Sequence, residues 1–192
     1  MQGSTRPPPT SDPPDPPATV DGFDVLDACH RQTLFTLGKL TALVARLRNL
    51  GADAEARSMA AAVTDFFSTT ARQHHEDEER HVFPKLLDSA KPDIVQAVLG
   101  LQQDHRWLGV DWAELSPALD AVASGQSCPD LDTLHEGVEI FSALYHAHIA
   151  LEESCIYPEA RARLPSGERQ AMAREMAERR RSQRKRPPAT AG

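Results

Sequence analysis

An all-α fold, an up-down antiparallel four-helix bundle with a short C-terminal helix and a disordered N-terminal arm, is what this sequence predicts. Three observations carry the prediction. Apolar residues recur at steps of three and four along four long stretches, the period of a helix with one buried face. Gly and Pro gather at the chain ends and between those stretches, and β-branched alternation is scarce. A pattern of histidine and glutamate also occurs twice: His74-x-x-x-Glu78-Glu79 with Phe83-Pro84, and His148-x-x-x-Glu152-Glu153 with Tyr157-Pro158. Each residue of the second copy falls 74 positions after its counterpart.

The elements follow in order. Residues 1–20, rich in Pro-Pro steps, cannot continue a helix and bury nothing, so they read as a disordered or extended arm. The first helix starts at Asp21 or Asp24 as cap and runs to about Asn49, with Gly51 just past its end. Its seam is Leu26, His30, Leu34 with Thr33, Leu37, Thr41, Val44 and Leu47. The second helix begins near Asp53 and continues to about Asp88, kinked near its end by Pro84, with a seam of Met59, Val63, Phe66, Thr70, His74, Glu78 and His81. The third starts at Pro92 or Asp93 and carries Ile94, Val98, Leu101, His105, Leu108, Trp112 and Leu115 before Ser116-Pro117 breaks it. The fourth spans about Leu131 to Arg163 on Leu134, Val138, Phe141, Tyr145, His148, Glu152 and Cys155. A short charged helix from Ser166 to about Arg181 and a solvated basic tail finish the chain. The organisation is thus an arm over 1–20, a helical domain over 21–163, and a charged helix and tail over 164–192.

Composition narrows the class of function. A chain of 192 residues holds one domain with tails, and a net charge of −7 argues against a general nucleic-acid binder. Cys29, Cys128 and Cys155 are an odd number without Cys-x-x-Cys spacing, which fits a reducing compartment. With neither a signal peptide nor an apolar run of membrane-spanning length in view, a cytoplasmic protein with no membrane contact is expected.

The chemistry lies on the seams. A helix turns about 100° per residue, so His74 and Glu78 point the same way, as do His148 and Glu152. Both pairs stand where apolar core residues would otherwise be. A lone buried carboxylate costs several kcal/mol, and neither stripe offers Lys or Arg to pair with it. A metal ion compensates for that burial, because imidazole and carboxylate are among its preferred donors. His30 and His105 lie on the two remaining seams, 75 residues apart, nearly the spacing of the motif. The chain therefore reads as two helix pairs, each with a His on its first helix and His-x-x-x-Glu on its second. The expected ligand set is His30, His74, Glu78, His105, His148 and Glu152. Six donors exceed one tetrahedral ion and suit two metals, with both glutamates bridging. Glu79 and Glu153 are expected beside the ligands or in solvent, and His75 exposed. His81 is a candidate hydrogen-bond donor or further ligand. Cys155 is expected as a small core residue, and Tyr145 and Trp112 as ordinary core aromatics.

Over roughly residues 21 to 163 the sequence resembles the hemerythrin-like domains, the histidine–histidine–glutamate cation-binding group. The resemblance rests on His30, His74-x-x-x-Glu78, His105 and His148-x-x-x-Glu152, with Phe83-Pro84 and Tyr157-Pro158. It implies two non-haem iron ions in a centre, oxo- or hydroxo-bridged, that meets O2, NO or peroxide. Oxygen carriers of the family place a further His one turn along the third helix, whereas the positions four from His105 are Leu101 and Gly109. That departure moves the chain toward members associated with sensing, iron handling or peroxide chemistry. In oxygen carriers the carboxylate of the last helix sits five residues after its His, which makes Glu153 the alternative to Glu152. The leading expectation is an O2- or NO-binding module. A peroxide- or NO-consuming enzyme, an iron-handling protein, and a bundle stapled by structural zinc are the alternatives.

Overall fold

A computed structural model describes residues 20–128 and 130–184, and it is all-helical. The expected arm, apart from the exposed Val20, lies outside the described residues, as do Lys185 and Arg186 of the basic tail. Helix α1 (Gly22–Leu50) is capped by the Asp21 carboxylate, which accepts from the Phe23 N–H at 2.9 Å. It ends at Gly51, whose φ of 72° lies in the left-handed region that glycine adopts without strain. Asp53 caps α2 (Ala54–Asp65) and is fixed from behind by Arg46. A π turn, Phe66–Ala71, joins α2 to α3 (Arg72–His81). The carbonyl of Glu78 then receives both Val82 N–H and Phe83 N–H, and Pro84, with no N–H to give, opens the short α4 (Pro84–Leu87). Helix α5 covers Pro92–Ala123, and α6 covers Leu131–Leu151 behind an Asp130 cap. A second π turn, Glu152–Ile156, leads into α7 (Tyr157–Arg163), and α8 spans Ser166–Arg184.

Four rods arise from these pieces: α1, α2 continued by α3, α5, and α6 continued by α7. Each packs on two neighbours in a ring, α1 on α2, α2 on α5, α5 on α6, and α6 back on α1. Short connections between successive rods make them antiparallel neighbours. The core is split in two along the bundle axis. One apolar cluster gathers around Leu40, Val63, Phe67, Leu119 and Phe141, the other around Phe23, Phe83, Val98, Tyr157 and Met176. The polar groups of interest lie between them.

Several seams differ from the expected ones. The π turns were not foreseen. In such a turn the backbone closes i→i+5 bonds, which inserts one residue into the helical count. Through the first of them the buried stripe passes by steps of four, Val63, Phe67, Ala71, so Ala71 takes the place expected for Thr70, and Phe66 and Phe67 are both buried. On α1, Thr33, Leu37 and Leu40 face inward, while Leu34 and Thr41 face out. Ser116-Pro117 does not break α5. Pro117 is inside a continuous helix, with the carbonyl it leaves unbonded belonging to the exposed Ala113, while Leu115, Leu119 and Val122 anchor the turns around it in the core.

Helix α8 corrects the reading of a solvated charged end. It docks on α1 and α3, with Met172 and Met176 buried against the lower core. Gly22 permits the approach, since a Cβ there would stand 2.7 Å from the Met172 side chain. A ladder of polar pairs lines the seam: the ion pairs Asp21 with Arg169 and Lys85 with Glu168, and the hydrogen bond between His81 and Glu175. At its top Arg179 and Arg180 both grip the carboxylate of Asp77, which is fully buried on α3 between His74 and Glu78. Removing the partners of a buried charge costs far more than losing a surface pair, about 3 kcal/mol or more. The double variant Arg179→Ala/Arg180→Ala should therefore lower the unfolding free energy by that order, read as a lower urea midpoint at an unchanged slope. A midpoint within error of the parent chain would show that the clamp does not stabilise the fold.

Candidate metal centre

The four rods bring the six expected residues together. His30 comes from α1, His74 and Glu78 from α3, His105 from α5, His148 from α6, and Glu152 from the start of the second π turn. Glu78 and Glu152 have no exposed surface, and His30, His74 and His148 are likewise buried. Each carboxylate touches its own helical His, His74 Nε2 to Glu78 at 3.4 Å and His148 Nε2 to Glu152 at 3.3 Å. Each also meets the lone His of the other half, with His105 Nε2 at 3.4 Å from Glu78 and His30 Nε2 at 3.1 Å from Glu152. All four Nε2 atoms thus point inward at the two carboxylates.

Two overlapping donor sets result. His30, His74, Glu78 and Glu152 place one ligand atom each within 4.8 Å of the others, and so do Glu78, His105, His148 and Glu152. The shared members are the two glutamates.

The outer nitrogens of His30 and His105 are held from outside. His30 Nδ1 stands 3.0 Å from Glu153, and His105 Nδ1 stands 3.1 Å from Glu79, which also accepts from Gln102. His148 Nδ1 is 3.6 Å from Asp104. A carboxylate on the far nitrogen fixes a ring's tautomer and direction, the usual arrangement behind a metal-bound imidazole. The exchange crosses the halves: the first copy's Glu79 orients the second half's His105, and the second copy's Glu153 orients His30. Glu152, one helical turn after His148, is the inward carboxylate of the last rod, and Glu153 lies toward the outer nitrogen of His30.

The aromatic-Pro endings cross over in the same way. Phe83 stacks on His105 with centroids 5.4 Å apart, and Tyr157 stacks on His30 at 5.2 Å. Tyr157 departs from the repeat by carrying a hydroxyl, which donates to Glu78 and lies 3.2 Å from His30 Nε2. Sequence reasoning gave Tyr157 no part in the site. The available signal was a phenol where the first copy has a plain ring, since a buried tyrosine hydroxyl finds a partner.

Two further corrections concern histidines. His81 does not approach the cluster; its Nε2 meets Glu175 of α8 at 2.7 Å. His75 is not exposed but half-buried, stacked on His105 at 4.1 Å and edge-on to His148 at 5.6 Å. The Trp112 indole donates to Ser68 Oγ at 3.2 Å. With Tyr145 it lines a cavity of about 850 Å³ that reaches His75 and His105.

The residues fit a pair of cations. Seven buried atoms of the cluster have no hydrogen-bond partner: His74 Nδ1, Glu78 Oε2, His105 Nε2, both ring nitrogens of His148, and both oxygens of Glu152. Their mutual contacts lack hydrogen-bonding geometry, and the charged partners of Glu78 and Glu152 among the described residues are all histidines. Orphaned polar atoms at this density are costly unless a ligand satisfies them.

Without metal the electrostatics are divided. Burial pushes His74 down to about 3 and His148 down to about 4, so both stay neutral, the form that ligates. Burial also opposes charge on His105, but Glu78 and Glu79 outweigh it and carry the ring up to about 9. His30 rises for the same reason, with Glu152 against burial. Burial and the neighbouring Glu78 raise Glu152 well above the carboxylate range, whereas the surrounding imidazoles overcome burial and hold Glu78 well below it.

These shifts set a pH profile for the metal-free protein. The depressed His74 and His148 take no proton in the fold where the unfolded chain does, so stability falls as pH drops below about 6.5. The raised His30 and His105 keep protons that the unfolded chain loses above about 6.5, and Glu152 keeps one that it loses above about 4.5, so with all three stability falls as pH rises above about 6.5, through about 9 for His105. Metal-free protein should thus be most stable near pH 6.5, and a melting temperature still climbing between pH 7 and 9 would contradict the charge assignments.

Comparison with known proteins gives the same frame. The family model described as the hemerythrin HHE cation binding domain matches residues 21–160. A Haemophilus influenzae protein described as uncharacterized is 30% identical over 131 residues, covering 68% of this chain and 74% of the relative. The match ends before α8.

Proposed function

The chain belongs to the hemerythrin HHE cation-binding family, and on that premise we propose that it is a non-haem di-iron protein that binds or senses O2 or NO. The proposed ligands are His30, His74, Glu78, His105, His148 and Glu152. One observation carries the reading: two carboxylates with no exposed surface, faced by inward imidazole nitrogens, share two four-donor sets and have no lysine or arginine among their charged partners in the described residues. Nitrogen and oxygen donors in this mixture suit iron, and the absence of thiolates argues against a structural zinc site. When bound, the two irons would supply redox-active centres with positions left for a small ligand.

The chain's own residues do the rest. Glu79 and Glu153 aim His105 and His30. Phe83 and Tyr157 cover those rings and exclude water from the lower face, both being buried. The aromatic-lined cavity beside His105 offers a small ligand an approach from the other side. No helix of the described residues is long and apolar enough to cross a membrane.

A second reading, turnover of peroxide or NO, draws support from Tyr157. Its hydroxyl holds a proton against Glu78 inside the site, and burial raises its pKa well above the usual range. Such a group can deliver a proton to a bound ligand without admitting water.

Metal analysis of the purified chain should find about two irons per chain, with visible absorption that changes on exposure to air or NO. His105→Ala and His148→Ala should each lower the iron content, and full retention by both variants would refute the ligand set. Sustained peroxide or NO consumption by the pure iron-loaded protein would move the assignment to the enzyme.

A further inference from the structure

Helix α5 presents apolar residues on two sides. Its inward stripe builds the core and carries His105. On the side away from the core a second stripe returns at steps of three and four: Leu99, Gln103, Trp107, Val110, Glu114 and Pro117. Leu99, Trp107 and Val110 are 45%, 54% and 46% exposed. Beside the end of this stripe a groove of about 560 Å³ opens between α5 and α6, lined by Glu114, Pro117 and Ala118 and by Ile140, which is itself exposed. A continuous apolar strip with a groove beside it marks an interaction surface, as scattered exposed residues do not.

The charges on the strip say what covers it. Arg106, next to Trp107, bonds only Gln103 among the described residues, at 2.8 and 3.2 Å. The ion pairs that α5 makes among the described residues run through Asp104 and His105 and leave out Arg106, Asp111 and Glu114. Asp111 and Glu114 are an uncompensated acidic pair, and burial together with Glu114 holds the Asp111 carboxyl above its usual range. Arg106 and Glu114 stand about 12 Å apart along the axis of one helix, too far to pair within a chain.

We propose that the outward face of α5 is the interface of a two-fold dimer of this chain, with the two α5 helices antiparallel and crossing at Val110. The crossing point follows from the charges. Val110 is midway between Arg106 and Glu114, so an antiparallel crossing there sets Arg106 of each copy against Glu114 of the other. A parallel crossing would set like charge against like, which disfavours it. The same register brings Trp107 of each copy level with Ala113 of the other, beside the groove and its acidic rim. A tryptophan and an arginine meeting a groove are the anchors that dominate interface energetics, and a two-fold axis supplies them twice. A face one helix wide is at the small end of specific interfaces, so the pairing is reversible and depends on concentration. It does not depend on a bound metal.

Sedimentation equilibrium of the full chain over about 1 to 500 µM tests the proposal, with the average mass expected to climb from one chain toward two. Arg106→Glu and Glu114→Arg should each weaken the dimer about tenfold or more, and the double variant Arg106→Glu/Glu114→Arg should restore it, because the exchanged charges meet again only across the interface. Trp107→Ala should weaken it by a similar factor with the melting temperature of the dilute monomer unchanged. Phe35→Ala, at an exposed position on α1, should leave it as it is. A single-chain mass across the whole range would overturn the proposal. So would a dimer that neither charge reversal weakens, or one that Phe35→Ala disrupts, since its interface would lie elsewhere. Weakening by the single reversals that the double variant does not repair would overturn the antiparallel pairing.

Discussion

Two carboxylates buried side by side are the constraint on which this structure turns. Glu78 and Glu152 have no exposed surface and belong to the same donor sets, and like charges at such range in a low dielectric cannot both persist unaided. In the absence of metal the conflict is met by protons: Glu78 keeps its charge among the imidazoles while Glu152 is driven toward its neutral form. Under the proposed reading, a pair of cations would resolve the same conflict with every carboxylate ionised and every inward imidazole neutral. Residues that look ill-placed for folding are well placed for binding, and metal affinity would offset the cost of burying them.

The internal repeat explains how a chain of modest length holds such a site rigid. Each half completes the other. Its second rod carries the carboxylate that faces the other half's lone histidine, the neighbouring glutamate that orients that histidine, and the aromatic ring that covers it. Neither half can form its part of the centre alone, so site assembly and bundle assembly are one event. The apolar clusters above and below are separate, and the polar layer between them is bridged by these crossed contacts.

Helix α8 adds a further layer. It lies beyond the span shared with the family and places two guanidinium groups on Asp77, a residue between two proposed ligands. Asp77 cannot be left unpaired at zero exposure, so α8 is bound to the fold as firmly as that charge is bound to its partners. Read on its own, the helix is mostly charged and has little apolar face. Its docking depends on charges supplied by α1, α3 and α4, and these are separated from it by up to 148 residues of chain, as with Asp21 and Arg169.

Periodicity and the doubled motif were enough to establish four helices, their caps at Asp21 and Asp53, and the convergence of His30, His74, Glu78, His105, His148 and Glu152, because a helix maps spacing directly onto direction. What the tertiary structure alone decided begins where that mapping is interrupted or where a partner is distant in sequence. The π turn at Phe66–Ala71 shifted the phase of the helix and brought His75 to the cluster, and the packing of the last rod on the first set Glu153 behind His30. Pro117 stayed helical because buried leucines on both sides of it held the turn. Tyr157, Asp77 and His81 acquired their roles from residues 79, 102 and 94 positions away. Local spacing predicts which face a side chain is on, but the group it meets there is set by how separate helices pack.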